Sequence, residues 1–453
     1  MREDVSGLWF RIILILIFLL NMPYVFGSDL SDKQESELLK DTLSIDQCIK
    51  IAIKNSPEIE ISQGNVIRSE LDVNDARAEF LPEINLNGGY FVNNTYNRFE
   101  WNSNHYDLGI SASINPFSSG RTYLTKEIAE ANLSQSRDGY RLTEMDLVME
   151  VIRRYYNLLK ANQILELREQ TIEQRKKELE FSKTQFELGL VAMADTLKAR
   201  VTLEGARVNL HEAKGELMVR RAELNEVMGL SLDIPISIKS VELIERNIPE
   251  LDSILNIAYN YRPDIKQQES SISSDKYNLI LARLNRLPTL TVTGGYNIKA
   301  EKFAFEGLPL NRTNWANNSE WSFRVGISFP IFDGGVKSRA ITKANIELNN
   351  AELRYENLRR FAELEVKSAH INLVNASQKI ELTERQVISA EESYEAALGR
   401  YMNGIAPITE VMDAEVAFTE SRINQINSKY DFLEAEALLK NASGVLYSDG
   451  EVK

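Results

Sequence analysis

The residues best equipped for covalent or metal chemistry are few: one cysteine and three histidines in 453 residues. His105, His211 and His370 stand far apart, with no carboxylate or cysteine at a ligand's spacing, so no zinc-type site is expected. Cys48 sits between Ile45 and Ile49 and reads as a buried hydrophobe rather than a nucleophile. The phosphate-cradling GxxxxGK[ST], the nucleophile elbow GxSxG and the zinc motif HExxH are all missing. The sequence therefore offers no reaction and no cofactor site, and any work the protein does must draw energy from a partner. One spacing suggests electrostatic work instead. Glu410 and Asp413 lie three apart at the start of a helical stretch and share one face of it. Acids in a first helical turn also suit the positive end of the helix dipole, which is a purely structural reason for them.

The elements that would position these residues come in duplicate. LPEINLNGGY at 81–90 returns as LPTLTVTGGY at 287–296, an offset of 206 that also aligns Pro57 with Pro263 and Ala52 with Ala258. Further on the offset becomes 215, aligning Gly120 with Gly335, Gly189 with Gly404 and Gly229 with Gly444. The change is confined to one loop of the second copy. The reading is an internal duplication, with a first repeat over 28–230, a linker over 231–245, a second repeat over 246–445 and a tail over 446–453. Before them, residues 1–27 read as a cleaved secretory signal: Arg2 and Arg11 precede an apolar run, Ile12 to Leu20, too short to span a bilayer.

Each repeat carries two period-two stretches. Ile84, Leu86, Tyr90 and Val92, then Leu108, Ile110, Ala112 and Ile114, alternate with polar residues, which predicts a β-hairpin over 83–115. Leu290, Val292, Tyr296 and Ile298, then Trp321, Phe323, Val325, Ile327 and Phe329, predict its counterpart over 289–330. Strands of about ten residues with one apolar face have the length and pattern of membrane-spanning β-strands, and a soluble sandwich uses the same alternation. Trp101, Trp315, Trp321, Tyr90, Tyr106 and Tyr296 would suit membrane interfaces.

The rest of each repeat is helical. No proline interrupts Arg121 to Leu188 or Val336 to Met402, and Met145, Met149, Ile152, Tyr156 and Leu159 step as a coiled-coil seam. Such helices are rods of about 100 Å. A second helix folds back from each at Leu188-Gly189-Leu190 or Gly404-Ile405, giving helical hairpins over 121–228 and 336–443. At the strand-to-helix joints, Pro116 and Gly120 answer to Pro330, Asp333, Gly334 and Gly335, with Ser118 or Asp333 placed to cap the new helix. Lipid forbids open sheet edges, so four strands enter a membrane only by closing with other copies of the chain. With 66 acidic against 52 basic side chains, a nucleic-acid partner is excluded.

These residues resemble the TolC-like outer-membrane efflux proteins. The likeness rests on the paired NSPEI and YRPDI entries, the joints NPFSSGR and FPIFDGGVKSR, and above all the second tip, YMNGIAPITEVMDAEVAFTESRINQINSKYDFLEAEALL. It implies an α+β membrane protein: a homotrimer whose twelve strands, four per protomer, close one outer-membrane β-barrel continuous with a long α-helical coiled-coil periplasmic tunnel, with an equatorial belt around the linker. It also implies outer-membrane lipid as the surroundings, and a periplasmic adaptor and inner-membrane transporter as partners. The work expected is passive conduction in efflux or type I secretion. A structural or adaptor-like coiled-coil protein without a channel is the alternative. By the same resemblance, Tyr401, Glu410 and Asp413 match a constriction at the periplasmic tip, where three copies of the two acids would make negative rings favouring cations. The family's arginine position holds Ala406, and the first-half equivalents of the acids are Asp195 and Lys198. Leu188, Gly189, Leu190, Gly404 and Ile405 would be the exposed tips that meet the adaptor.

Overall fold

A computed structural model describes residues 42–93, 103–241, 248–300, 319–448 and 451–452. The predicted signal over 1–27, Trp101 and Trp315 lie outside the described residues. In chain order the elements are α1 (Ile45–Asn55), α2 (Pro57–Ala78), β1 (Glu83–Asn93), β2 (Ser103–Phe117), α3 (Arg121–Glu187) and α4 (Met193–Val227). The second half repeats them as α5 (Leu251–Tyr261), α6 (Pro263–Leu284), β3 (Thr289–Ala300), β4 (Ser319–Ser328), α7 (Val336–Met402) and α8 (Ile408–Ala442). A short pair, β5 (Tyr447–Ser448) and β6 (Glu451–Val452), follows.

Local chemistry sets the boundaries. Ser44 and Gln47 form a reciprocal capping box at α1, and proline occupies the first turn of both α2 and α6, where no amide donor is needed. Gly189, Gly229, Gly404 and Gly444 end α3, α4, α7 and α8, all with positive φ. At each, the amide after the glycine returns to a carbonyl five residues back, as Leu190 N does to Gln185 O and Ile405 N to Arg400 O, both at 2.9 Å. This closes the last helical turn with a Schellman motif. Strand β2 begins at Ser103, ahead of its apolar alternation, because its ladder with β1 runs on to the Asn93–Ser103 pair. At the other end of the sheet β4 stops at Ser328, before Pro330, which has no amide to add to a ladder.

The two predicted hairpins form one antiparallel sheet in the order β1-β2-β3-β4. Its register carries the alternation across all four strands: Leu86 stands opposite Ile110, Ile110 opposite Tyr296, and Tyr296 opposite Trp321. One face is therefore apolar from edge to edge, yet nothing among the described residues covers it: Leu86 is 74% exposed, Trp321 77% and Ile327 76%. A soluble sandwich would have packed this face against a second sheet.

The cores lie among the helices, and they repeat as the sequence does. In the first half Cys48, Ala52, Val151, Leu158 and Leu224 belong to one buried cluster. In the second, Ile254, Ala258, Val366, Leu373 and Leu439 occupy the matching places. The seam predicted on α3 is buried at Met145, Met149, Ile152 and Leu159, whereas Tyr156 is half-buried and its neighbour Tyr155 fully so. The reason is that α3 here touches α1, α4 and α8 together, so it buries more than one coiled-coil stripe. Tyr155 Oη lies 2.6 Å from the carbonyl of Lys239 and 3.1 Å from that of Leu43, pinning the two segments that pair Leu43 with Ile238.

Candidate functional site at the helical tips

The ends of the two helical hairpins hold most of the predicted site residues. Gly189 and Gly404 turn the chain, and the apolar side chains beside them point outward: Leu188, Leu190 and Ile405 are 65%, 68% and 74% exposed. Met193 and Met402 add to the same surface. Both hairpins thus end in apolar side chains left exposed by the protomer itself.

Within one protomer Tyr401, Glu410 and Asp413 do not converge. Tyr401 faces the interior between the hairpins, its ring edge-on to Phe181 with centroids 5.8 Å apart and its buried hydroxyl near Ser182. Burial raises the pKa of that hydroxyl. Glu410 is ion-paired to Arg400, across the turn on α7. That supplies an arginine to the tip although Ala406 does not, but within one chain. Asp413 is exposed. Asp195 and Lys198 face each other at 3.9 Å at the other tip.

A buried ionic cluster lies deeper, where α3, α7 and α8 meet. Glu415 on α8 is fully buried, and its Oε2 lies 2.5 Å from Nη1 of Arg175 on α3, itself 8% exposed. The same guanidinium nitrogen stands 3.4 Å from Oε2 of Glu178, whose Oε1 accepts from Tyr394 Oη at 3.1 Å. Burial, and then the neighbouring Glu178, raise Glu415 to about 8 despite Arg175. A cavity of about 320 Å³, lined by Glu178, Phe181, Tyr394 and Tyr401 among others, opens beside it. The sequence did hold a signal for this cluster. Ile408, Val411, Glu415 and Phe418 step by three, four and three along one buried line of α8, so a glutamate occupies a core position.

A family model described as outer membrane efflux protein matches residues 48–230 and, a second time, 254–445. The chain belongs to the outer membrane efflux protein family. Its members are channel proteins. Among curated relatives, the Outer membrane protein TolC of Escherichia coli is 23% identical over 437 residues, covering 94% of this chain and 86% of that one. The protein of the same name from Vibrio cholerae is 25% identical over 383 residues, covering 83% and 84%. Among solved structures, the Campylobacter jejuni CmeC outer membrane channel superimposes with a TM-score of 0.78 at 18% identity, covering 95% of this chain and 92% of that one. The open state of the Neisseria gonorrhoeae MtrE outer membrane channel gives 0.74 at 18%, covering 90% and 91%. The four-stranded sheet and long helices of this efflux-family chain are thus one protomer's share of a barrel-and-tunnel fold.

The joints show how the family fold turns strand into helix. Asp333 accepts from the amides of Gly335 at 2.9 Å and Lys337 at 3.0 Å, and these bonds hold its carboxyl below the usual carboxylate range. In the first repeat Ser118 accepts from the Thr122 amide at 3.2 Å. Gly334 and Gly335 have positive φ, as do Ser119 and Gly120. Pro116 lies within β2, and Pro330 and Asp333 in the connection after β4.

Proposed function

We propose that this chain is the outer-membrane exit duct of a tripartite efflux pump or type I secretion system. Three copies close one barrel and one tunnel, and substrates delivered by an inner-membrane transporter pass through. One observation carries the reading: among the described residues the sheet has two unpaired edges and an uncovered apolar face, and its strands run directly into 67-residue helices. Such a sheet is acceptable in lipid only when closed, and four strands are too few to close. A coiled-coil protein without a channel would leave that face with nothing to cover it.

No chemical step is assigned to the chain, and flow is driven by the partner. The exposed tips at Leu188, Gly189, Leu190, Gly404 and Ile405 serve as the docking end for a periplasmic adaptor. Tyr401, Glu410 and Asp413 form the constriction when three protomers converge. Asp413, already exposed, projects charge toward the axis, and the Arg400–Glu410 pair tempers the ring. The test is the molar mass of the detergent-extracted protein by light scattering, followed by conductance in a planar bilayer. Three chains per particle and discrete conductance steps are expected. A monodisperse monomer would overturn the barrel assignment, and a silent trimer would overturn the duct.

A further inference from the structure

Glu415 calls for an explanation that packing does not give. A carboxylate removed from water is stabilised only by full pairing, and among the described residues the cation against Glu415 is Arg175, 2.5 Å from its Oε2, which Glu178 also engages. The surrounding groups leave an excess of acid. From α3 come Arg175 and Glu178, with the exposed Lys177 lining the cavity beside them, and from α7 Tyr394, with Tyr401 nearer the tip, where Asp195 of α4 acts on it. On α8 itself Arg422 stands over the Phe418 ring, which stacks on Tyr394. From α4 the same core receives Ala199, Leu203 and Ala206, none ionisable. Two carboxyls therefore share one buried guanidinium, and the burial is complete within a single protomer.

We propose that Arg175, Glu178 and Glu415 form a proton-held latch between the two helical hairpins, which keeps a proton while the tips are packed and releases it when they part. Arg175 and Glu178 belong to the first hairpin and Glu415 to the second, so parting the hairpins is the movement that wets the cluster. This deepens the proposed duct by naming a regulator of its periplasmic end, and it rests on that reading only for its consequence. The packed state holds its proton up to about pH 8, whereas a wetted glutamate would release it near its ordinary 4.5. Within that window each unit of rising pH favours parting by up to ~tenfold per protomer, and the dependence levels off above it. Acidity tightens the tips and alkalinity loosens them.

Infrared difference spectroscopy of the detergent-solubilised trimer tests the latch. At neutral pH the wild type should show the carbonyl stretch of a dry carboxylic acid, titrating away above about pH 8. The band should be missing in Glu415→Gln and should titrate at lower pH in Glu178→Gln, where one competing acid is gone. In parallel, amide exchange over residues 394–418, corrected for intrinsic base catalysis, should accelerate with pH in the wild type and stay flat in Glu415→Gln. No band in the wild type, or a band that survives Glu415→Gln, overturns the latch, and the wild-type and Glu178→Gln titrations decide it even if Glu415→Gln fails to assemble. A trimer that conducts but lacks the band sinks the latch alone. One that shows the band but never conducts sinks the duct alone.

Discussion

Single residues carry chemistry here only through burial. Cys48 is fully buried, and desolvation pushes its thiol up to about 12. The native protein should therefore resist maleimide at neutral pH and take up one equivalent per chain only in denaturant, as mass spectrometry would show; full labelling of the folded trimer would contradict it. Tyr155 makes a second case. Its hydroxyl joins the Lys239 and Leu43 carbonyls, so Tyr155→Phe should cost about 1 kcal/mol of stability, measured as a lowered denaturation midpoint with an unchanged fold. The character of Cys48 was legible because apolar residues flank it at helical spacing and its duplicate is Ile254. The Arg400–Glu410 pair was not, since it spans a turn whose geometry depends on the αL conformation of Gly404. Glu415 was half legible: its position on an apolar line could be read, but its partners Arg175 and Glu178 lie on another hairpin, about 240 residues away in sequence.

Elements were the most legible level, because proline-free rods and strict alternation leave few choices to the backbone. The rods end at Glu187 and Met402, where the duplicated glycines had placed them. What the pattern withheld was why glycine is needed so firmly at two of the four helix ends. A Cβ on Gly444 would stand 2.8 Å from the backbone of Arg262, and one on Gly229 2.8 Å from Asn55 Cβ, each at the junction of the two short helices of its own half. Gly444→Ala combines that clash with an unfavourable positive φ, so a loss of about 1–3 kcal/mol or a failure to accumulate folded protein is expected. Gly64 lies inside α2 with open space around it, and Gly64→Ala should gain up to about 1 kcal/mol on the same melting measurement. Equal effects from the two substitutions would refute the close-approach argument. At the joint, Asp333→Ala removes the acceptor of two amides, while Asp333→Asn keeps a side-chain oxygen for one of them. The folded pKa is depressed, so this contribution is present above the ordinary value of 3.8 and is lost as pH falls through the depressed one. The alanine variant should melt earlier than wild type at neutral pH, and the two should converge in strong acid.

At the scale of the whole molecule, the single chain is visibly incomplete, and its exposed side chains say where the rest belongs. On α7, Ile346, Leu353, Leu364, Ile371 and Leu382 are each more than half exposed and are separated by seven and eleven residues in turn. Eighteen residues make five turns at about 3.6 per turn, so these side chains form one stripe parallel to the helix axis. On α4, Val201, Val208 and Val219 repeat the seven-and-eleven spacing, also exposed. Two straight apolar stripes on different hairpins of one protomer, together with two sheet edges unpaired among the described residues, are what a heterologous ring interface needs. Closure was legible as a necessity in the sequence, from the strand count and the lipid, but not the surface that achieves it, because a stripe of period 18 is hidden beneath the local seam that packs each hairpin. In a protomer interface, burying leucines of this kind would be worth about 1.5–3 kcal/mol each, three times over in the ring. Leu353→Glu together with Leu364→Glu should therefore leave the hairpins helical by circular dichroism, since neither side chain is in a protomer's own core. By light scattering in detergent the same variant should fall from three chains per particle to one. A double variant that still runs as a trimer would place the protomer interface elsewhere on the rods, and the β-edges alone would then have to hold the ring.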